Sequence, residues 1–318
     1  MRRAKQGQAA GAMRPHVRRS AAAAQLKQML KMTAAAVTQN SNQGWPPRAL
    51  AAGAALLLAG CAEIPMTRGG SLASYDNMTV SNGALTKSLI RISRDDVMAA
   101  RTVRIIPTGF SEAALPSISA KERALVANHV DRSLCTGLSD RFAVVADGEA
   151  ADLTVHASIT HADATDEVAA GASKVVGIIP TVLSVGAPVP VPRIPIGLGS
   201  LSIEAQAVDR SGRQQAAMMW ARGADSFTSS ARVSAAGDAY DLAGNFGVDF
   251  SRMLVSGATP FGKLPELPSM EKISSSFGGK PKYVACSAFG KSPGLAGMVA
   301  TRIGLAPGVA DDGASVQQ

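Results

Sequence analysis

The chain is poor in the residue types that carry chemistry. Of its 318 residues only 18% are charged and 4% aromatic, and there are 4 histidines and 3 cysteines. So few aromatics argue against a surface on which nucleic-acid bases stack. No Gly-x-Ser-x-Gly, phosphate loop, His-Glu-x-x-His or paired Cys-x-x-Cys is present. Each of these motifs supplies a nucleophile, an anion cradle or metal ligands at a spacing the chemistry needs. We therefore expect no enzyme, no cofactor, no metal and no nucleic-acid partner. Hydrophobic residues make up 46% of the chain, enough for a sizeable core in one large domain or two small ones.

Acidic residues are missing from residues 1–60 altogether, whereas nine basic ones stand there, from Arg2 to Arg48. That segment carries the excess behind the net charge of +8. The remainder holds 23 Lys+Arg against 24 Asp+Glu, close to neutral. A neutral body offers no electrostatic footprint for DNA or RNA, so the basic pI reads as a targeting leader.

Ala49 to Leu58 is a run of ten apolar residues preceded by Arg48. Ten helical residues span about 15 Å, half a hydrocarbon core, which excludes a transmembrane helix and fits a secretory signal. Leu58-Ala59-Gly60-Cys61 follows directly. This tetrad resembles a bacterial lipobox. The resemblance implies cleavage between Gly60 and Cys61 and acylation of the Cys61 thiol, the most nucleophilic side chain near neutral pH. Two or three acyl chains hold a protein firmly to a bilayer where one holds it marginally. Ala62, where sorting to the inner membrane would place Asp, implies the outer membrane. Residues 1–47 are expected to be disordered or untranslated, with Met29 or Met32 as alternative starts.

Residues 61–95 are rich in Gly, Ser, Thr and Asn and read as a tether with some local structure. The domain proper is expected over 96–260. Thr102 to Ile106 is a β-branched run ended by Pro107, hence a strand. Ser119 with Glu122 forms a capping box before a helix to about Asp140, whose apolar stripe is Leu125, Val126, Val130, Leu134 and Leu138. Phe142 to Val145 and Asp152 to Thr160 are further strands, the latter alternating in polarity. Leu201 to Val208 and Gln214 to Arg222 form a hairpin across Asp209-Arg210-Ser211-Gly212. A closing helix runs from about Asp238 to Val255. The order predicts an α+β domain: a mostly antiparallel sheet of about five strands, helices packed on one face, and an apolar Pro-rich insertion.

The Cys61 lipobox, Ser71-Leu72-Ala73-Ser74-Tyr75, Ala151-Asp152-Leu153-Thr154-Val155 and Ser202 to Arg213 together resemble the bacterial lipoproteins with domain of unknown function 3313. The likeness spans about residues 61–260. It implies an anchored envelope protein and lends no activity.

The insertion, Gly177 to Gly199, has five prolines and one charge, Arg193. The prolines exclude a membrane span, because lipid cannot satisfy the carbonyls they free. It is either an exposed apolar loop that docks a partner or the lipid surface, or an arm burying Ile178, Ile179, Val182, Leu183 and Ile196. Residues 261–318 read as a loosely ordered tail. Cys135 and Cys286 either pair in an oxidising compartment or stay apart, Cys135 as a buried helical thiol. His156 and His161, five apart on a strand, are expected to face opposite sides, with Asp163 able to reach His161. His129, on the first helix, is expected as a boundary histidine. The functional expectation is a lipid-anchored protein of the cell envelope, facing the periplasm, whose partners are membrane lipid through Cys61 and an envelope protein. The alternatives are a small-ligand or lipid carrier with 177–199 as lid, and a hydrolase.

Overall fold

The structure, a computed structural model, describes residues 64–114, 117–174, 193–262, 270, 273–274 and 277–311. The leader, the lipobox and residues 177–192 of the insertion lie outside the described residues.

The fold is α+β, built on one eight-stranded mixed sheet. Its strands are β1 (Thr79–Val80), β2 (Thr86–Ile92), β3 (Thr102–Ile105), β4 (Gly109–Phe110), β5 (Ala143–Val144), β6 (Leu153–Asp163), β7 (Ser200–Asp209) and β8 (Gln214–Gly223). Their order is β1-β2-β8-β7-β6-β3-β5, with β4 also on β6. This corrects the expected five-stranded, mostly antiparallel sheet. β1, β2, β8, β7 and β6 run antiparallel, but β3, β4 and β5 join in parallel. The cause lies in the connection. A helix between β3 and β5 carries the chain back over the sheet, and such a crossover returns the second strand in the same direction.

The main helices are α1 (Arg94–Ala99), α2 (Ala120–Leu138), α3 (Gly237–Ser256) and α4 (Gly294–Ile303). α2 starts where the sequence places it. Ser119 accepts from the backbone N–H of Glu122, and the Glu122 carboxylate accepts from that of Ser119. α2 and α3 cover one face of the sheet. Between them and the strands lie Leu134, Leu138, Leu153, Ile159, Ile203, Trp220, Phe246 and Phe250, all fully buried. The two helices touch closely at glycine. A Cβ on Gly247 would stand 2.4 Å from Ser133 Cβ, so only a bare backbone fits there. The hairpin forms as the turn residues predict, with Gly212 at φ 80° and its N–H donating to Asp209 O. Among the described residues, no helix is long and apolar enough to cross a membrane.

The opposite face is covered by the segment read as a tether. Residues 64–78, the N-terminal arm of the domain, lie across β7 and β8, and β1 and β2 extend the sheet beyond β8. Leu72 is buried there against Ala217 and Met219. From Ile64 onward this stretch is part of the domain. The tail also packs: residues 283–289 and 307–311 lie against α2 and α3.

Candidate functional site

Two clasps fix residues 64–78 and 283–311 onto the sheet and helices. The first gathers on β7. Strand periodicity puts Ser202, Glu204 and Gln206 on the face away from the helices. Each is buried. The Glu204 carboxylate accepts from Gly69 N–H (3.2 Å), Ser71 N–H (2.7 Å) and the Tyr75 hydroxyl (2.8 Å). Gln206 accepts from Ala73 N–H at 2.7 Å and donates to Ser71 O at 3.0 Å. Ser202 donates to Pro65 O at 2.7 Å. A Cβ on Gly69 would lie 2.6 Å from Thr160 Cγ2, so the arm comes this close only as glycine. Burial, reinforced by the Glu204 carboxylate, raises the Tyr75 pKa and keeps that hydroxyl a donor.

The second clasp is at the C-terminal strap. Arg132 of α2 pairs with Asp311, which also accepts from the Tyr240 hydroxyl of α3. Arg132 donates further to Tyr240 Oη (3.2 Å) and Phe289 O (3.4 Å). His129 stacks on Tyr240 with ring centroids 4.1 Å apart, and its Nδ1 lies 2.8 Å from Tyr240 O. Burial, with the nearby Arg132 charge, lowers the His129 pKa to about 3. The ring is therefore neutral at neutral pH, and since a carbonyl only accepts, Nδ1 holds the proton. Cys135 and Cys286 are joined in a disulfide with Cα atoms 5.8 Å apart, tying the strap to α2. Beside the strap is a cavity of about 230 Å³ lined by Leu125, Val126, Tyr240 and Pro307. That is smaller than the roughly 300–1,000 Å³ of ordinary ligand pockets.

The histidines of β6 require a correction. A bulge between Ile159 and His161 shifts the strand's phase by one residue. His156 pairs with Gln206 and His161 with Ser202, so both histidines are on the arm's face of the sheet. His161 Nε2 is 3.0 Å from Asp163, and Asp163 accepts from Ser200 Oγ at 2.6 Å. The carboxylate stands between imidazole and hydroxyl. Nucleophile activation needs the imidazole against the hydroxyl, so this trio is not a relay. Among the described residues, no three His, Cys, Asp or Glu side chains gather to hold a metal ion. Of the expected site residues, Gly60 and Cys61 lie outside the described residues. Of the insertion, Ile196 is exposed and Arg193 is buried in a pair with Asp238.

A family model described as "Protein of unknown function (DUF3313)" matches residues 67–250, more than half of the chain. The chain belongs to this family. The DUF3313 match opens inside the arm and closes within α3, so it takes in both sides of the Glu204 clasp. The stretches Ser71 to Tyr75 and Ser202 to Arg213, which carry the sequence resemblance, touch each other there. The alternation of Leu201 to Val208 gives Glu204 and Gln206 no role of their own; Gly69-Gly70-Ser71 is the signal of a close backbone approach. No curated protein matches. Two solved structures of the PelC dodecamer from Paraburkholderia phytofirmans are similar at 8% identity. One aligns over 54% of this chain and 96% of its own with a TM-score of 0.30. The other, a methionine variant, aligns over 53% and 95% with a TM-score of 0.28. Likeness at this level carries no argument about fold or assembly.

Proposed function

We propose that this DUF3313 protein is a lipid-anchored protein of the cell envelope, facing the periplasm, that acts by binding or scaffolding rather than by catalysis. One observation carries the reading: Leu58-Ala59-Gly60-Cys61 directly after ten apolar residues and a basic, acid-free leader. The Cys135–Cys286 disulfide supports it, since such bonds persist where the compartment oxidises. The binding role is supported by where the ionisable groups are spent. Glu204, Arg132, Asp311 and Asp238 each hold one segment of the chain to another. By resemblance to enterobacterial lipoprotein sorting, Ala62 in place of Asp favours the outer membrane over the inner.

The test is Cys61→Ser in cells fed labelled palmitate, followed by membrane fractionation. The native chain takes up label and sediments with membranes; the variant takes up none and stays at precursor size. Equal sedimentation and processing of the two would remove the anchor from the account. Crosslinking before solubilisation tests the scaffold role, for which a stoichiometric envelope partner is the expected product.

A further inference from the structure

The arm changes what a lipidated Cys61 would do to the domain. Ile64 already sits on the sheet: a Cβ on Gly223 would stand 3.0 Å from Ile64 Cδ1, and the next residue accepts from Ser202. Only Ala62 and Glu63 separate Cys61 from Ile64, three steps and at most about 11 Å of extended chain. A thirty-residue tether would hold the domain clear of the bilayer, whereas this leash leaves one end of the sheet against it.

That end is where β6 and β8 finish and β7 begins. Asp163 pairs with Ser200, and Ser200 with Gly223. Around it the chain is knotted by short bonds. Ala224 N–H donates to Gly199 O, Arg193 N–H to Ser226 O, and Asp166 N–H to Gly197 O. The Arg193–Asp238 pair, with a second donation to Asp238 from Gly199 N–H at 2.8 Å, pins the returning insertion to the start of α3. On this rigid rim stand three apolar side chains in water: Phe227 at 83% exposure, Val168 at 82% and Ile196 at 64%. Among the described residues, no packing covers them.

We propose that this sheet end is the membrane-facing surface of the protein, with Phe227, Val168 and Ile196 seated in the lipid interface beside the acylated Cys61. The inference rests on the lipid-anchor reading and adds an orientation to it. The occupant is a bilayer surface, chosen because two residues of chain between the proposed anchor and Ile64 at this rim give too little slack to reach lipid elsewhere. The attraction is apolar. Lys174 and Arg222 are offset by Asp163, Asp166 and Asp225, so the rim carries no cationic excess to seek anionic headgroups. Ten-residue strands put the 209–213 hairpin about 33 Å away, in the periplasm.

Probes on the full, acylated chain in phospholipid vesicles test this. Cys61 is acylated and Cys135 and Cys286 are paired, so an introduced cysteine is the one free thiol. Phe227→Cys, Ile196→Cys and, at the far end, Ala150→Cys are each labelled with an environment-sensitive fluorophore. All three sites are exposed or at loops, so folding is preserved, and circular dichroism checks it. The probes at 227 and 196 should emit at shorter wavelength and be quenched by lipids with nitroxides on their acyl chains, with no change on raising salt. The probe at 150 should emit as in water. A chain that carries palmitate and sediments with vesicles, yet shows water-like emission at 227 and 196, overturns the orientation and leaves the anchor standing. Equal lipid quenching at 150 overturns it too. Shielding at 227 from an aqueous quencher without lipid quenching assigns the rim to a protein partner instead. A chain without palmitate brings down both readings.

Discussion

The environment of Asp131 opposes its charge. Its buried carboxylate accepts from Thr108 N–H at 3.0 and 3.1 Å and from Thr108 Oγ1 at 2.6 Å. Those donors favour the anion, but loss of solvation outweighs them and raises the pKa from 3.8 to about 7. In the window between these two values the unfolded chain ionises and the folded one does not. Stability contributed by this group is therefore present below it and lost as pH rises through it. Denaturant titrations of Asp131→Asn from acid to neutral pH should show a flatter profile than the native chain. A second residue-scale prediction concerns the disulfide. Its bond spans 151 residues, for which the chain-entropy model gives roughly 5 kcal/mol. Cys135→Ala with Cys286→Ala should lose stability on that order in guanidinium unfolding, and reduction of the native chain should do the same. Both pairings of these thiols were open in the sequence, because spacing along a chain says nothing of distance across a fold.

At the scale of elements, the arm and the helix pair make separate predictions. Glu204→Ala leaves three arm donors without their acceptor and should cost on the order of 3 kcal/mol. Hydrogen exchange should report it locally, as lost protection at residues 69–75, while α2 and α3 keep theirs. Gly247→Ala forces a methyl into Ser133 across the α2–α3 contact and should cost about 1–3 kcal/mol in thermal unfolding. The long periodic elements were legible: α2 from its capping box, α3 from its apolar spacing, β6, β7 and β8 from alternation and a Gly-bearing turn. What failed was anything settled by partners. β2, Thr86 to Ile92, mixes Lys87 and Arg91 into its strand pattern and sits in a stretch whose composition reads as linker. The parallel join of β3 to β5 was implicit in strand–helix–strand order, yet the β7–β8 hairpin suggested a mostly antiparallel sheet. The bulge on β6 moved His161 to the face of His156, and a bulge leaves no mark on a run of alternating residues.

Across the whole molecule, residues 64–78 are held to the outer face of the sheet and residues 283–311 to α2 and α3, and the proposed acyl anchor stands three positions before Ile64. Its site was only partly legible. Cys61 stands out because a motif announces it, whereas the Glu204 clasp joins residues more than 120 positions apart that only the fold brings together. The central claim is covalent, so mass decides it. Mass spectrometry of the amino-terminal peptide of the protein extracted from its membranes should find Cys61 as first residue, bearing a diacylglyceryl thioether and an acylated amine. A mature chain that begins elsewhere, or a Cys61 thiol at its unmodified mass, would contradict the account.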